Sequence, residues 1–128
     1  MLDCSAPVSA FELFLDAIPP EKRKSLARPA LHSANLMPVR RDFAFVTDID
    51  TLAGDVIKAA TSADKTTITD VMVFDVFTGG NLGAAKKSIA VEVTLQPQDK
   101  TFNDTEIEAI ASKIIAAVTK ATGAEIRG

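Results

Sequence analysis

"FDVFTGGNLGAAKKSIAVEV", Phe74 to Val93, decides the fold of this 128-residue chain. Glycines lead into Lys86-Lys87-Ser88, as they do in loops that cradle phosphates. A phosphate loop needs G-x-x-x-x-G-K-[ST], with a strand before it and a helix after it. Here Ala85 and Lys86 stand ahead of Lys87, so the last glycine of the motif is missing. After Ser88 comes "IAVEVTL", an alternating strand that offers no helix N-terminus to an anion. The stretch therefore reads as two strands joined by a glycine-bearing hairpin connection, Thr78 to Lys87, in which the glycines serve turn geometry. That reading makes the neighbouring strands antiparallel.

Working outward, "KSIAVEVTLQ" alternates Ile89, Val91, Val93 and Leu95 against Ser88, Ala90, Glu92 and Thr94, the period-2 signature of a strand with one buried face. "TTITDVMVFDVF" is rich in β-branched and aromatic residues and reads as the strand before it. "RDFAFVTD", Arg41–Asp48, alternates Phe43, Phe45 and Thr47 against Asp42, Ala44, Val46 and Asp48. Between these strands, Asp50 is placed to cap a helix carrying Leu52, Val56, Ile57 and Ala60 at helical spacing. Downstream, Asn103-x-x-Glu106 forms a capping box. It opens a helix with the stripe Ile107, Ile110, Ala111, Ile114 and Val118, which Gly123 is placed to end. "AEIRG" supplies a short last strand.

The order is β-α-β-β-α-β. This predicts an α+β, ferredoxin-like fold, with a four-stranded antiparallel sheet, two helices on one face and the other face open. Ahead of it, "PVSAFELFL", Pro7–Leu15, carries apolar residues on both parities and reads as a strand covered on both sides. Pro19-Pro20 ends it, and the connector to Pro38 has room for one helical turn. The chain is expected to be a piece of a longer protein, with residues 1–36 the end of a preceding domain and residues 37–128 the ferredoxin-like domain.

Composition limits the function. Hydrophobic residues make up 47% and charged residues 24%, the profile of a globular chain. No apolar run approaches the roughly 20 residues of a membrane span. A lone Cys4 leaves no intrachain disulfide, and a reducing, cytoplasmic setting is expected. The net charge of −3 falls in residues 37–128, which carry ten basic and thirteen acidic groups. A protein that grips nucleic acid chiefly through phosphates is basic. Any RNA binding here has to rest on a local site.

Strand parity indicates which side chains face the open side. The expected open set is Asp42, Ala44, Val46 and Asp48 in the first strand; Thr69, Val71, Val73, Asp75 and Phe77 in the second; Ser88, Ala90, Glu92 and Thr94 in the third; and Glu125 and Arg127 in the last. Ile68, Met72, Phe74 and Val76 are the expected core of the second strand, and Ile126 turns inward. The open face gathers an aromatic ring, small residues, a carboxylate, a hydroxyl and a guanidinium. RNA-binding sheets stack and hydrogen-bond unpaired bases with such groups.

"PVRRDFAFVTD", "FDVFTGG", "KKSIAVEVTLQ", "KTFNDTEIEAIASKI" and the closing "GAEIRG" resemble, in order and spacing, the C-terminal anticodon-binding domain of bacterial phenylalanyl-tRNA synthetase β subunits. The resemblance covers essentially all of residues 37–128, and "APVSAFELFLDAIP" looks like the end of the preceding catalytic-like, inactive domain. It implies binding of the tRNA(Phe) anticodon within an α2β2 ligase whose ATP and magnesium belong to the α subunit, with no cofactor or metal held by this chain. Carried over by motif, the base-contacting positions are Ala44, Asp75, Phe77, Ser88 and Arg127. All five fall on the open face that parity selects. Arg40, Arg41, Lys86 and Lys87 are candidates for phosphate contact. The family commonly has Tyr where this chain has Phe77, so the ring is kept and the hydroxyl is not. Implied partners are the tRNA, the α subunit and the rest of the β subunit, with neither DNA nor a membrane involved.

Two other classes of function fit the same fold: a regulatory small-molecule module and a structural docking domain. The first wants a glycine-rich turn between the first strand and helix, which "TDIDTLAGD" lacks ahead of the helix. The second wants a broadly apolar open face, whereas Asp42, Asp48, Asp75, Glu92 and Glu125 make it polar. His32 has no partner ligand and Cys4 no neighbouring base. Asp48 and Asp50 are explained by a strand end and a cap, and Glu106 and Glu108 by the first turn of a helix. No nucleophile–base set emerges.

Overall fold

A computed structural model describes residues 8–20 and 35–127. The chain divides into two compact units, Met1–His32 and Ser33–Gly128. In the first unit the expected strand over Pro7–Leu15 is absent from its described part: Val8–Phe14 have no regular structure, and Leu15–Ala17 form a 3-10 turn. An extended segment becomes a strand only when a ladder satisfies its backbone groups. Within this unit no described residue pairs with it, and Phe11 is 92% exposed. The expected helical turn in the connector, Cys4 and His32 lie outside the described residues.

The second unit has the order β1 (Val39–Asp48), α1 (Ala53–Ala63), β2 (Ile68–Thr78), β3 (Lys86–Leu95), α2 (Asp104–Thr122) and β4 (Glu125–Ile126). A further 3-10 turn, Gly80–Leu82, lies in the β2–β3 connection. The sheet order is β2-β3-β1-β4, with every neighbouring pair antiparallel. This is the expected ferredoxin-like arrangement.

β3 lies between β1 and β2 and supplies the floor of the core: Ile89, Val91, Val93 and Leu95 are buried. Phe43 and Phe45 oppose Val91 and Ile89 in register, their rings stacked 6.1 Å apart. Val56, Ala59 and Ala60 of α1 and Ile110, Ile114 and Val118 of α2 close over them. Each fully buried Val, Ile or Phe contributes about 1.5–3 kcal/mol.

Local chemistry explains where the helices begin and end. The α2 capping box forms as predicted: the Glu106 amide donates to Asn103 Oδ1 at 2.8 Å, and the Asn103 amide donates to Glu106 Oε2 at 3.0 Å. Gly123 ends α2 in the left-handed region, φ 68°. The Asp50 cap does not form. α1 starts after Leu52, with no side-chain cap, because Asp50 sits two residues too early to reach the first free amides. Asp64 instead organises the far end: its Oδ1 accepts from the Thr66 amide, the Thr66 hydroxyl and the Thr67 amide, turning the chain into β2.

β2 departs from simple alternation. Its register against β3 shifts between Ile68 and Asp70 and again between Val73 and Asp75. Each shift leaves one extra residue, Thr69 and then Phe74, as in a β-bulge. After the first, Val71 and Val73 oppose Val93 and Val91 on the helix side, while Met72 opposes Glu92 on the open side. Simple parity puts Val71 and Val73 on the open face and Met72 in the core, so the first bulge reverses all three; Val71 is 8% and Met72 51% exposed. Phe74, also expected in the core, is exposed at the second bulge. Val76 keeps helix-side register opposite Ile89 yet is half exposed, since β2 is the outer strand.

Two outcomes test this packing. Val71→Asp buries an unpaired carboxylate and should cost more than about 3 kcal/mol in chemical denaturation, whereas Met72→Ser should cost less than about 1 kcal/mol; uninterrupted alternation demands the opposite order. The hydroxyl of Thr66 holds the Asp64 carboxyl below its ordinary range, and Lys100 with the Asn103 amide does the same for Glu106. A carboxyl lowered on folding stabilises fully above its unfolded value and loses that effect as pH falls through its folded value. The thermal midpoint should therefore fall on acidification from pH 5 to below pH 3, and Glu106→Gln should flatten the curve.

Candidate nucleic-acid interface

The open face is set by β3, whose outward residues are Ser88, Ala90, Glu92 and Thr94. Register across the sheet arranges these with their neighbours in rows. One row runs Asp75, Ala90, Ala44 from β2 through β3 to β1. Arg127 extends it, since its amide donates to the Ala44 carbonyl at 2.7 Å. The next row runs Phe77, Ser88, Val46, Glu125 across all four strands. All five residues expected to contact bases therefore lie in two adjacent rows. The second bulge makes this possible: it restores parity after the first, so Asp75 and Phe77 face outward although Val71 and Val73 do not.

The rows have a definite shape. Ala90 and Ala44 make a low floor between the Asp75 carboxylate at one margin and the Arg127 guanidinium at the other. At about 4.8 Å per strand spacing the backbone span is about 14 Å. Phe77 rises beside Asp75 with 45% of its surface exposed. Ser88 is 5% exposed, so it belongs to the floor between Phe77 and Val46 rather than projecting from it. Phe77 also meets the connection after β2. A methyl group on Gly80 would come within 3.4 Å of the ring, so the bare backbone there lies close against the aromatic edge. Gly79 and Gly83 adopt φ 98° and 79°, conformations that side chains resist, which is the turn role expected of them.

Among the candidate phosphate contacts, Arg40, Arg41 and Lys86 are paired with carboxylates of described residues. Arg40 lies 3.4 Å from Glu92, Arg41 2.8 Å from Glu108, and Lys86 2.8 Å from Asp48. Arg41 and Lys87 share the register of Val93 and Thr47 on the helix side, so only Arg40 and Lys86 belong to the open face. The hydrogen bond and charge of Asp48, with Glu125 nearby, raise the Lys86 ammonium above its ordinary value and keep it charged. Across the face, the carboxylates of Asp42, Asp48, Asp70, Asp75, Glu92 and Glu125 outnumber the cations Arg40, Lys86 and Arg127. A surface of that sign repels phosphate and favours neutral, donor-rich ligands.

Strict parity missed Met72 and the close approach of Gly80 to Phe77. A trace of the first was present in the spacing Ile68, Val71, Val73, Val76, which alternates steps of three and two and so marks two extra residues. Nothing in the letters locates Gly80 against the ring, because that contact depends on how the connection folds back. Among the described residues, no three His, Cys, Asp or Glu side chains converge to hold a metal ion.

Residues 34–127 match the family described as the ferredoxin-fold anticodon binding domain. The phenylalanine–tRNA ligase beta subunit of Paramagnetospirillum magneticum is 52% identical over 99% of this chain and 16% of its own length. That of Brucella abortus is likewise 52% identical, and that of Rhodospirillum rubrum 51% identical, with the same coverage of each chain. The chain thus spans about 16% of the length of these relatives.

Proposed function

The chain belongs to the ferredoxin-fold anticodon binding domain family, and from that premise we propose that it reads the anticodon of tRNA(Phe) as a module of a phenylalanine–tRNA ligase β subunit. The observation that carries this reading is the row Asp75, Ala90, Ala44, Arg127, with Phe77 beside it. The tRNA(Phe) anticodon begins with guanine, whose Watson–Crick edge presents two N–H donors side by side. An ionised carboxylate accepts both, which adenine, cytosine and uracil cannot reproduce, and a bidentate pair of this kind discriminates by about 1–3 kcal/mol. Phe77 supplies a stacking surface worth about 1–3 kcal/mol per base. Ala44 and Ser88 keep the floor low enough for a base to lie close to the sheet, and Arg127 meets a phosphate or base edge at the far margin. Without the hydroxyl of a tyrosine, position 77 acts by stacking alone.

In this role the chain carries no chemical step. Residues 37–128 are the reading module and residues 1–36 the end of a preceding catalytic-like domain. Amino acid activation, with ATP and magnesium, belongs to the α subunit of an α2β2 assembly, and the setting is cytoplasmic. Among the described residues, no helix is long and apolar enough to cross a membrane. The carboxylate excess on the open face leaves most of the grip on tRNA phosphates to other parts of the ligase.

NMR titration with a tRNA(Phe) anticodon stem-loop checks this directly. Amides around Ala44, Asp75, Phe77 and Ser88 should shift, and shift less when the first anticodon base is no longer guanine; equal shifts for both loops would remove base reading. Asp75→Ala should lower the preference for guanine about tenfold or more while weakening the altered loop little. Few cations face the ligand, so the plot of log affinity against log salt should have a slope no steeper than about −2. A slope steeper than that would indicate phosphate-driven binding instead.

A further inference from the structure

The two margins of the sheet differ. β2, at one margin, is broken by two bulges, and bulges blunt an outer strand against further pairing. β1, toward the other margin, keeps unbroken register with β3 over all ten of its residues. β4 covers only part of it. Among the described residues β4 pairs with Phe45 and Val46, and the Arg127 amide adds a bond to the Ala44 carbonyl. Along an antiparallel strand, successive residues turn their backbone groups to opposite sides. Ala44 faces β4, so Asp42 and Arg40 present their N–H and C=O groups to the same side, past the last pairing of β4. No described strand takes them up. Such a row of backbone groups is a template for another strand. Charges that project across an edge would guard it, but Arg40 and Arg41 are drawn onto Glu92 of β3 at 3.4 Å and Glu108 of α2 at 2.8 Å. The exposed carboxylate of Asp42 has no ion pair among the described residues. Beneath the edge, on the helix side, Phe43, Ala111 and Ile115 line an open concavity of about 600 Å³.

We propose that the Val39–Phe43 edge of β1 takes an added strand, supplied by a part of the ligase β subunit outside this chain. The backbone groups of Arg40 and Asp42 pair with it, and side chains select it. Opposite Asp42, on the open side, the added strand carries a lysine or arginine, since opposite charges facing each other across a ladder attract. The next residue along it, on the helix side, is apolar and enters the concavity against Phe43, Ala111 and Ile115. The lining favours that sign of charge, with Asp42, Glu92 and Glu108 against Arg40 and Arg41. This chain spans 16% of the length of its relatives, so ample polypeptide lies outside it to supply such a segment. An added strand lies in the plane of the sheet. It would tie the module to the rest of the ligase through backbone bonds and leave the open face clear for RNA. The proposal rests on the chain's being a module of that subunit, and it requires nothing of which bases the open face reads.

Residue-resolved hydrogen exchange tests this in two samples, the 128-residue chain alone and the same residues within the assembled ligase. In the chain alone, the Arg41 and Phe43 amides, turned toward β3, should exchange slowly, and those of Arg40 and Asp42 fast. In the ligase, Arg40 and Asp42 should slow about tenfold or more, giving an unbroken protected run from Arg40 to Phe43. Asp42→Lys should speed these two amides about fivefold in the ligase and leave them unchanged in the chain alone. The native comparison does not depend on how that variant folds. Fast exchange in both samples overturns the added strand. Slow exchange in the dilute chain alone does so too, because the edge is then already filled by the chain itself. Protection of the chain alone that grows with its concentration assigns the edge to a second copy instead. Protection in the ligase that Asp42→Lys leaves intact removes the charge-matched partner. The stem-loop titration judges anticodon reading separately, so each proposal can fail while the other stands.

Discussion

Everything in the second unit depends on the two-sided pairing of β3. It lies between β1 and β2, and its inward residues Ile89, Val91, Val93 and Leu95 form the floor on which both helices close. Because side chains alternate, the same four burials present Ser88, Ala90, Glu92 and Thr94 to the open side. A slip of one residue would carry four apolar side chains into water and four small or polar ones into the core, at a cost no other contact in the sheet could offset. The core therefore enforces the register, and the register places Ala90 between Asp75 and Ala44. Stability and the geometry of the candidate site share one constraint.

Against that fixed strand, β2 accommodates two extra residues. A single bulge would have left Asp75 and Phe77 on the wrong parity relative to Ile68; two bulges bring them back. Bulges are common at sheet edges and beside binding sites, where they add twist and re-aim side chains. Here their consequence is local and specific. Between them, Val71 and Val73 are drawn under the helices and Met72 is put out on the open face. Beyond them, an aromatic ring and a carboxylate stand side by side over a floor of small residues. The β2–β3 connection places the backbone of Gly80 against the same ring, tying the hairpin's turn to the surface it brackets.

The electrostatics agree with the composition. Of the candidate phosphate-binding residues, Arg41 and Lys87 turn to the helix side, and Arg40 and Lys86 are held by carboxylates. Surface ion pairs of this kind are weak, about 0–1 kcal/mol each, so they exchange partners at little cost. A face lined with carboxylates favours neutral, donor-rich groups over phosphates.

Local signals in the sequence determined the element order, the α2 capping box, the glycine turns and the inward faces of β1 and β3. These arise from period-2 and period-3.6 patterns and from caps whose partners lie within a few residues. The open-face placement of the five candidate residues was legible too, through parity, although for Asp75 and Phe77 the simple parity count came out right because two bulges cancel. Tertiary structure decided the rest. The strand expected over Pro7–Leu15 is absent from the described residues of that segment, because a strand needs a partner ladder that no local pattern can provide. Asp50 does not cap because packing, not the first available carboxylate, sets where α1 begins. Met72 and Phe74 came to the surface, and Val71 and Val73 went beneath it, because the register of an outer strand is settled by what it must match on β3. That match is made across the sheet, between residues about twenty positions apart, where reading along the chain has no purchase.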